Sequence, residues 1–185
     1  MEIKKYIKIY DKVLPWNVLS NLIRSINQYE FKSGTIGPNG VVNKKIRQTN
    51  VFEISNRSDD MAKVHWHNIL FHVFMKHIGD YMKNHEFAHM PEVNSIQILK
   101  YGISDHYEWH VDHFKSQPRT ISCIFLLNND YEGGHLCFKD PFSDKTLKVD
   151  NLPNRLIVWP SNFMFPHTVK PITKGIRYSI VSWAL

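Results

Sequence analysis

His110-Val-Asp112 places an imidazole and a carboxylate two residues apart. On an extended strand alternate side chains share a face, so the pair can grip one cation together. The triplet alone says little, because the chain has 11 histidines and an exposed polar strand end explains most such pairs. A third donor changes the reading: His167 follows in Phe165-Pro-His-Thr-Val169, 55 residues after Asp112, and Arg177 stands ten residues further on. Two imidazoles and one carboxylate make the facial donor set that holds non-haem Fe(II) and leaves coordination positions open for reactants. Zinc could take the same three ligands in a hydrolase, but a hydrolase would have no need of Arg177 at this spacing. The guanidinium of Arg177 offers two parallel donors to a carboxylate.

Those residues need strands to position them. From Val93 onward short apolar runs alternate with Gly, Pro, Asn and Asp, over residues 93–101, 105–111, 119–127, 134–138, 145–149, 155–159, 166–170 and 176–184, which predicts an antiparallel sandwich or barrel. The first half is helical. Trp16, Leu19, Leu22, Ile23 and Ile26 recur at three- and four-residue spacing after Pro15, predicting an amphipathic helix to about Tyr29. Ser58-Asp59-Asp60 offers an N-cap to a long helix over 60–84, with Val64, Ile69, Phe71, Val73, Phe74, Ile78, Tyr81 and Met82 on its apolar face. Between the helices, segment 32–47 with Gly34, Gly37, Pro38 and Gly40 reads as a mobile loop, and Val51, Phe52 and Ile54 as a short strand. The expected fold is α+β and mainly β: a double-stranded β-helix, or jelly roll, with N-terminal helices packed on one sheet. Residues 1–185 form one domain in this reading, 1–92 supplying helical support and a lid loop and 93–185 the jelly roll that carries the site.

Composition narrows the class. A chain of 185 residues with 43% hydrophobic and 13% aromatic content has the material for an ordinary core, which excludes a disordered tail or a disulfide miniprotein. No run approaches the roughly 18 apolar residues of a spanning helix, and the alternating start MEIKKYIKIYDK is unlike a signal peptide, so a soluble cytoplasmic protein without membrane contact is expected. Cys123 and Cys137 lie in apolar runs expected to pair across a hairpin, as reduced, half-buried thiols. The net charge of +6 leans toward the first third, where ten basic face six acidic side chains. Its densest group, Lys44, Lys45 and Arg47, reads either as solvated surface or as a substrate-facing rim. His65, His67, His72 and His77 lack an i, i+4 pair and do not make a second metal site. Alternation turns His113 away from His110, and Trp109 and Trp183 read as core packing.

In order and spacing, residues 96–183 resemble the Fe(II)/2-oxoglutarate-dependent dioxygenases of the prolyl 4-hydroxylase type. The resemblance runs through Tyr101-Gly102, Tyr107, His110-Val-Asp112, Arg119-Thr-Ile-Ser122, Leu126-Leu-Asn128, Gly133-Gly134, Phe138, His167-Thr-Val-Lys-Pro171 and Gly175-Ile-Arg-Tyr178, closing at Trp183. The segment YEWHVDHF is most similar to small hydroxylase-like proteins of bacteria and their phages. The resemblance implies that His110, Asp112 and His167 hold Fe(II), that 2-oxoglutarate chelates the metal, and that Arg177 and Tyr101 take its distal carboxylate. It further implies O2 as oxidant, ascorbate as a candidate reductant, and hydroxylation of an unactivated C–H bond with release of succinate and CO2. A peptide or protein substrate follows, with peptidyl proline favoured. Tyr107, with Lys44, Lys45 and Arg47 from the loop, would face that substrate. Two positions depart from the family pattern: His135, where relatives carry Thr or an acid, and Leu126, where they carry a central-strand tyrosine. Ser122, Thr168 and Ser179 read mainly as strand-pairing residues.

Two other functions compete. The same chemistry on nucleic acid would suit the basic excess, but the alkylation-repair branch has a second arginine six positions after the cosubstrate arginine, where this chain has Trp183. No basic stretch interleaved with aromatics stands out for stacking bases. A small metabolite could replace the peptide. A catalytically idle jelly-roll binding module is the alternative outside enzymes, and the intact triad with Arg177 argues against it.

Overall fold

Residues 3–37, 40–85, 92–143 and 145–185 are described by the computed structural model; Pro38 of the expected loop lies outside them. A 3-10 turn at Ile3–Tyr6 leads into β1 (Lys8–Asp11) and helix α1 (Trp16–Ile26); β2 (Lys32–Ser33), β3 (Arg47–Gln48) and β4 (Asn50–Ile54) precede helix α2 (Met61–Lys83). Ten strands follow: β5 (Val93–Tyr101), β6 (His106–His110), β7 (Ile121–Leu126), β8 (Glu132–Gly133), β9 (Leu136–Lys139), β10 (Thr146–Lys148), β11 (Arg155–Pro160), β12 (His167–Val169), β13 (Ile172–Lys174) and β14 (Arg177–Ala184).

The strands form a seven-stranded sheet in the order β1-β11-β7-β14-β5-β4-β2, a five-stranded sheet in the order β10-β9-β12-β6-β3, and the small pair β13-β8. This is the expected jelly roll with helices on one sheet. Period-two alternation in the large sheet divides the interior. Ile96 and Ile98 of β5, Cys123 and Phe125 of β7, Leu156 and Val158 of β11, and Tyr178 and Ile180 of β14 pack with the helices. Their strand neighbours Leu99, Tyr101, Ile124, Leu126, Ile157, Trp159, Val181 and Trp183 point the other way, between the sheets. Every residue of β7 and β14 is buried, because the large sheet has a core on both faces.

The helices cover the outer core. In α1, Leu19, Leu22 and Ile26 are buried at helical spacing, and the helix ends three residues earlier than the apolar pattern suggests, at an Asn27 cap. In α2 the carboxylate of Asp60 accepts from Ala62 N at 2.9 Å, the N-cap expected from sequence. Trp66, Leu70, Phe74 and Ile78 then form a buried stripe at four-residue steps. The strands missed in the sequence are short or at an edge. β1 pairs with β11, and β2 and β3 punctuate the loop expected to be irregular.

The two cysteines do not pair across a hairpin. Cys123 lies on β7 of the large sheet and Cys137 on β9 of the small one, and both are free and fully buried rather than half-buried. No helix among the described residues is long and apolar enough to cross a membrane.

Candidate active site

Strand β12 pairs antiparallel with β6 so that His167 lies opposite His110. The register shifts between that pair and Val169 opposite Tyr107. Glu108 and Trp109 of β6 thus face the single residue Thr168 of β12, a bulge that turns Tyr107 and His110 toward the same side against simple alternation. Their rings stack, with centroids 3.5 Å apart and planes 15° apart. Asp112 follows immediately after β6 and is buried.

The metal-binding atoms of His110, Asp112 and His167 lie within 4.8 Å of one another, the one such cluster among the described residues. Asp112 Oδ1 stands 3.7 Å from His110 Nε2, and Oδ2 stands 3.5 Å from His167 Nε2. Backbone carbonyls set the tautomers. His110 Nδ1 is 2.8 Å from Glu108 O and His167 Nδ1 is 3.0 Å from Phe165 O; a carbonyl only accepts, so each Nδ1 carries the proton and each Nε2 lone pair is left for a metal. Ser122 Oγ donates to Asp112 Oδ2 at 2.7 Å, and Ser161 Oγ lies 2.7 Å from Ser122 Oγ. Burial, and then the neighbouring His167, depress the His110 pKa below the ordinary imidazole range. Burial alone would raise Asp112, but His167, His110, the Ser122 hydrogen bond and Arg119 outweigh it and hold the carboxyl below its usual value. An ionised carboxylate beside neutral imidazole is the state a divalent cation requires.

These ligands open into a cavity of about 490 Å³ between the sheets, lined also by Tyr101, Leu99, Leu136, Trp159, Val181 and Trp183. Lys32, Ser33, Gly34, Thr35 and Gly37 of the N-terminal loop border it, together with Arg47. Arg47 lies 4.9 Å from the Tyr107 ring centroid and its Nη1 donates to Thr35 O at 2.8 Å. Across the cavity Arg119 lies 3.7 Å from the Trp183 ring centroid. Nε of both arginines is buried without a hydrogen-bond partner, and burial lowers the Arg119 pKa. Burial also raises the Tyr107 phenol to about 12, against both arginines.

Arg177 is 0% exposed and sits opposite Tyr101 in the β14–β5 register. Its Nη1 donates to Ser179 Oγ at 2.8 Å, while Nε and Nη2 have no partner. A buried guanidinium without its hydrogen bonds is costly. These atoms form the edge that takes a carboxylate by two parallel bonds. A divalent metal at the triad and a dicarboxylate reaching toward Arg177 therefore fit the residues present.

The structure brings together His110, Asp112, His167, Tyr101, Tyr107 and Arg47 around one cavity, with Arg177 against Tyr101. Lys44 and Lys45 lie elsewhere. Lys44 borders a separate pocket of about 100 Å³ with Gln48 and Asp105, and Lys45 offers its carbonyl to His106 Nε2 at 3.3 Å. Trp109 is not core packing: it is 39% exposed on the outer side of β6, with Lys170 Nζ 5.2 Å from its ring centroid. Trp183 is buried but lines the cavity. Sequence reasoning missed the Ser161–Ser122–Asp112 chain and Arg119. Period two on β7 puts Ser122 on the inner side with Ile124 and Leu126, which was the available signal.

Residues 96–185 match the family model of the 2OG-Fe(II) oxygenase superfamily. A PKHD-type hydroxylase of Synechococcus sp. (strain CC9902) is 35% identical over 101 residues, covering 52% of this chain and 44% of that protein. A PKHD-type hydroxylase of Prochlorococcus marinus (strain MIT 9515) is 34% identical over 101 residues, with the same coverage of 52% and 44%. The chain thus spans less than half the length of these curated relatives. Among solved structures, a Trichoplax adhaerens prolyl hydroxylase in complex with a hypoxia inducible factor peptide fragment superposes with a TM-score of 0.76 at 20% identity, over 97% of this chain and 83% of that one. A Pseudomonas putida prolyl-4-hydroxylase gives 0.72 at 18% identity, over 97% and 92%. At these identities the structures show a shared fold.

Proposed function

We propose that residues 96–185, which match the 2OG-Fe(II) oxygenase superfamily model, form an oxygenase domain of the prolyl 4-hydroxylase-like kind, and that the chain hydroxylates an unactivated C–H bond of a peptidyl residue, with proline the favoured target. The reaction consumes O2 and 2-oxoglutarate; one oxygen atom enters the substrate, the other enters succinate, and CO2 leaves. Ascorbate serves as reductant for the iron in this reading.

The observation that carries the proposal is the triad of half-buried His110 with buried Asp112 and His167, both Nε2 atoms free, in a cavity with the Arg177 Nε and Nη2 edge against its Tyr101 wall. His110, Asp112 and His167 hold Fe(II), which with 2-oxoglutarate supplies the oxidising power. Arg177 and Tyr101 orient the cosubstrate from the other end. Tyr107 and Arg47 face the substrate side, with Lys44 and Lys45 further out along the loop. The apolar walls Leu99, Leu136 and Val181 keep water from the reacting centre. A peptide substrate is supported by the Trichoplax neighbour, solved in complex with a hypoxia inducible factor peptide fragment.

The test is an anaerobic titration of the metal-free protein with Fe(II) and 2-oxoglutarate, following the visible charge-transfer band of the chelate, with Asp112→Ala as control. Succinate release with proline-containing peptides comes next. A band in the wild type and none in the variant is expected. A folded, iron-loaded wild type without a band would leave the idle binding module as the reading.

A further inference from the structure

Two buried side chains beside the Tyr101 wall of the cavity share an unusual condition. Neither Nε and Nη2 of Arg177 nor the phenol oxygen of Tyr131 makes a well-formed hydrogen bond, and all three are buried. Tyr131 precedes β8, is 8% exposed, and belongs to the inner core with Tyr101, Leu126, Leu136 and Ile172. The two side chains converge at Gly134, whose φ is +61°. A Cβ there would stand 3.0 Å from Arg177 Cδ and 3.2 Å from Tyr131 Cε2, so the missing side chain is what lets both close on one space. Burial raises the pKa of the Tyr131 phenol, opposed by the charge of Arg177 and by a hydrogen-bonding approach of its guanidinium; the phenol oxygen can accept from Arg177 while its hydroxyl hydrogen stays free to donate. Leu126, opposite Ser179 in the β14–β7 register, contributes no polar atom.

Unpaired buried donors gathered in one place call for a single acceptor. Ser179 already occupies Nη1 of Arg177; a carboxylate on the Nε and Nη2 edge keeps lone pairs to spare for another donor. We propose that Tyr131 is a cosubstrate-binding residue whose hydroxyl donates to the distal carboxylate of 2-oxoglutarate beside Arg177. This rests on the function proposed above. Tyr131 is then the phenolic donor that Leu126 cannot be, and it helps the site to measure the length of the 2-oxo acid.

Tyr131→Phe tests it in the full chain. Without ligand the variant stays folded with a melting temperature close to that of the wild type, because the hydroxyl removed makes no well-formed hydrogen bond there. Its 2-oxoglutarate affinity, read from the anaerobic Fe(II) charge-transfer titration, falls about 10- to 100-fold, the range for a hydrogen bond to a charged group. Its affinity for 2-oxobutyrate, which chelates the metal alike but lacks the distal carboxylate, stays at the wild-type value. Unchanged 2-oxoglutarate affinity overturns the proposal, and so does an equal loss for both acids, which would mark Tyr131 as packing alone. A wild type that shows no band removes the proposed function first, and this inference with it.

Discussion

Replacing Ser122 by alanine is expected to weaken divalent-metal binding by about 10- to 100-fold while the fold survives. Ser122 and Ser161 are each 1% exposed. An ionised carboxylate only accepts, so the 2.7 Å contact to Asp112 Oδ2 fixes Ser122 as donor there. The Ser161 hydroxyl then supplies the proton of the second 2.7 Å contact. A hydrogen bond to a charged group is worth about 1.5–3 kcal/mol, and about 1.4 kcal/mol is tenfold in affinity, which brings the estimate to the range found for outer partners of metal ligands. Stability responds differently. The alanine leaves the Ser161 hydroxyl buried without its acceptor, a cost of about 1–3 kcal/mol, or roughly 2–12 °C in melting temperature for a chain of this size. Calorimetric titration with Mn(II) under saturating 2-oxoglutarate reads the first effect and thermal unfolding of the metal-free protein reads the second. The double variant Ser122→Ala with Ser161→Ala should bind metal no more weakly than the single one, yet regain part of the lost melting temperature. Undiminished metal affinity in folded Ser122→Ala would refute the reasoning, since packing alone would then be holding Asp112.

Arg119→Gln should raise the KM for a peptide substrate by about tenfold, the scale of one charge-assisted hydrogen bond, with 2-oxoglutarate affinity unchanged; a shift in cosubstrate affinity instead would place Arg119 on the wrong side of the metal. Asn154, at φ +63° and fully buried, accepts from Leu14 N at 2.9 Å and donates to Leu14 O at 2.6 Å. Asn154→Ala should therefore cost about 2–4 kcal/mol of stability without changing metal affinity in the folded fraction, and a urea midpoint equal to wild type would contradict this. Asp11 receives two bonds from Arg155, at 2.7 and 2.9 Å, and this hydrogen bonding holds its carboxyl below the ordinary aspartate value against the opposing effect of burial. Its stabilisation is thus full above that value and is lost as pH falls through the lowered folded one. The melting temperatures of wild type and Asp11→Asn should differ at pH 7 and converge in strong acid; a gap that persists at low pH would assign the difference to something other than charge.

Period-two alternation carries much of the site into view from sequence. It puts Arg177, Ser179, Val181 and Trp183 on the inner face of β14, and it sends Tyr178 and Ile180 to the helices. The same rule fails on β6, because the bulge against β12 spends an extra residue and brings Tyr107 and His110 to one side. That shift depends on pairing between segments about 60 residues apart and leaves no local mark. Trp109 was misread for the same reason. With Tyr107 and His110 both inward, the tryptophan between them must face out, where Lys170 covers its ring. The cysteines were misplaced because two apolar runs close in sequence fall in different sheets of a jelly roll, which crosses between its layers at nearly every loop.

Tyr131 shows the sharper limit. It sits in a turn before a strand of two residues, where no periodicity can assign a direction to a side chain. What turns it inward is tertiary: Gly133 lies opposite Ile172 in the β13–β8 pair, and Gly134 accepts a left-handed backbone that leaves room for both Tyr131 and Arg177. Sequence could mark the glycine pair as a tight turn, and it could mark Leu126 as a position that lacks a polar group. It could not join the two. Any replacement of Gly134 should therefore disturb cosubstrate binding more than metal binding, because the clash it creates falls on the Ile172, Arg177 and Tyr131 side chains while His110 and His167 lie on other strands and Asp112 beyond the end of β6. Gly134→Ala meets Arg177 Cδ at 3.0 Å and Ile172 Cδ1 closer still. If that variant folds and loses metal and 2-oxoglutarate affinity in equal measure, Gly134 is a hinge of the whole jelly roll rather than a spacer between two cosubstrate-binding side chains.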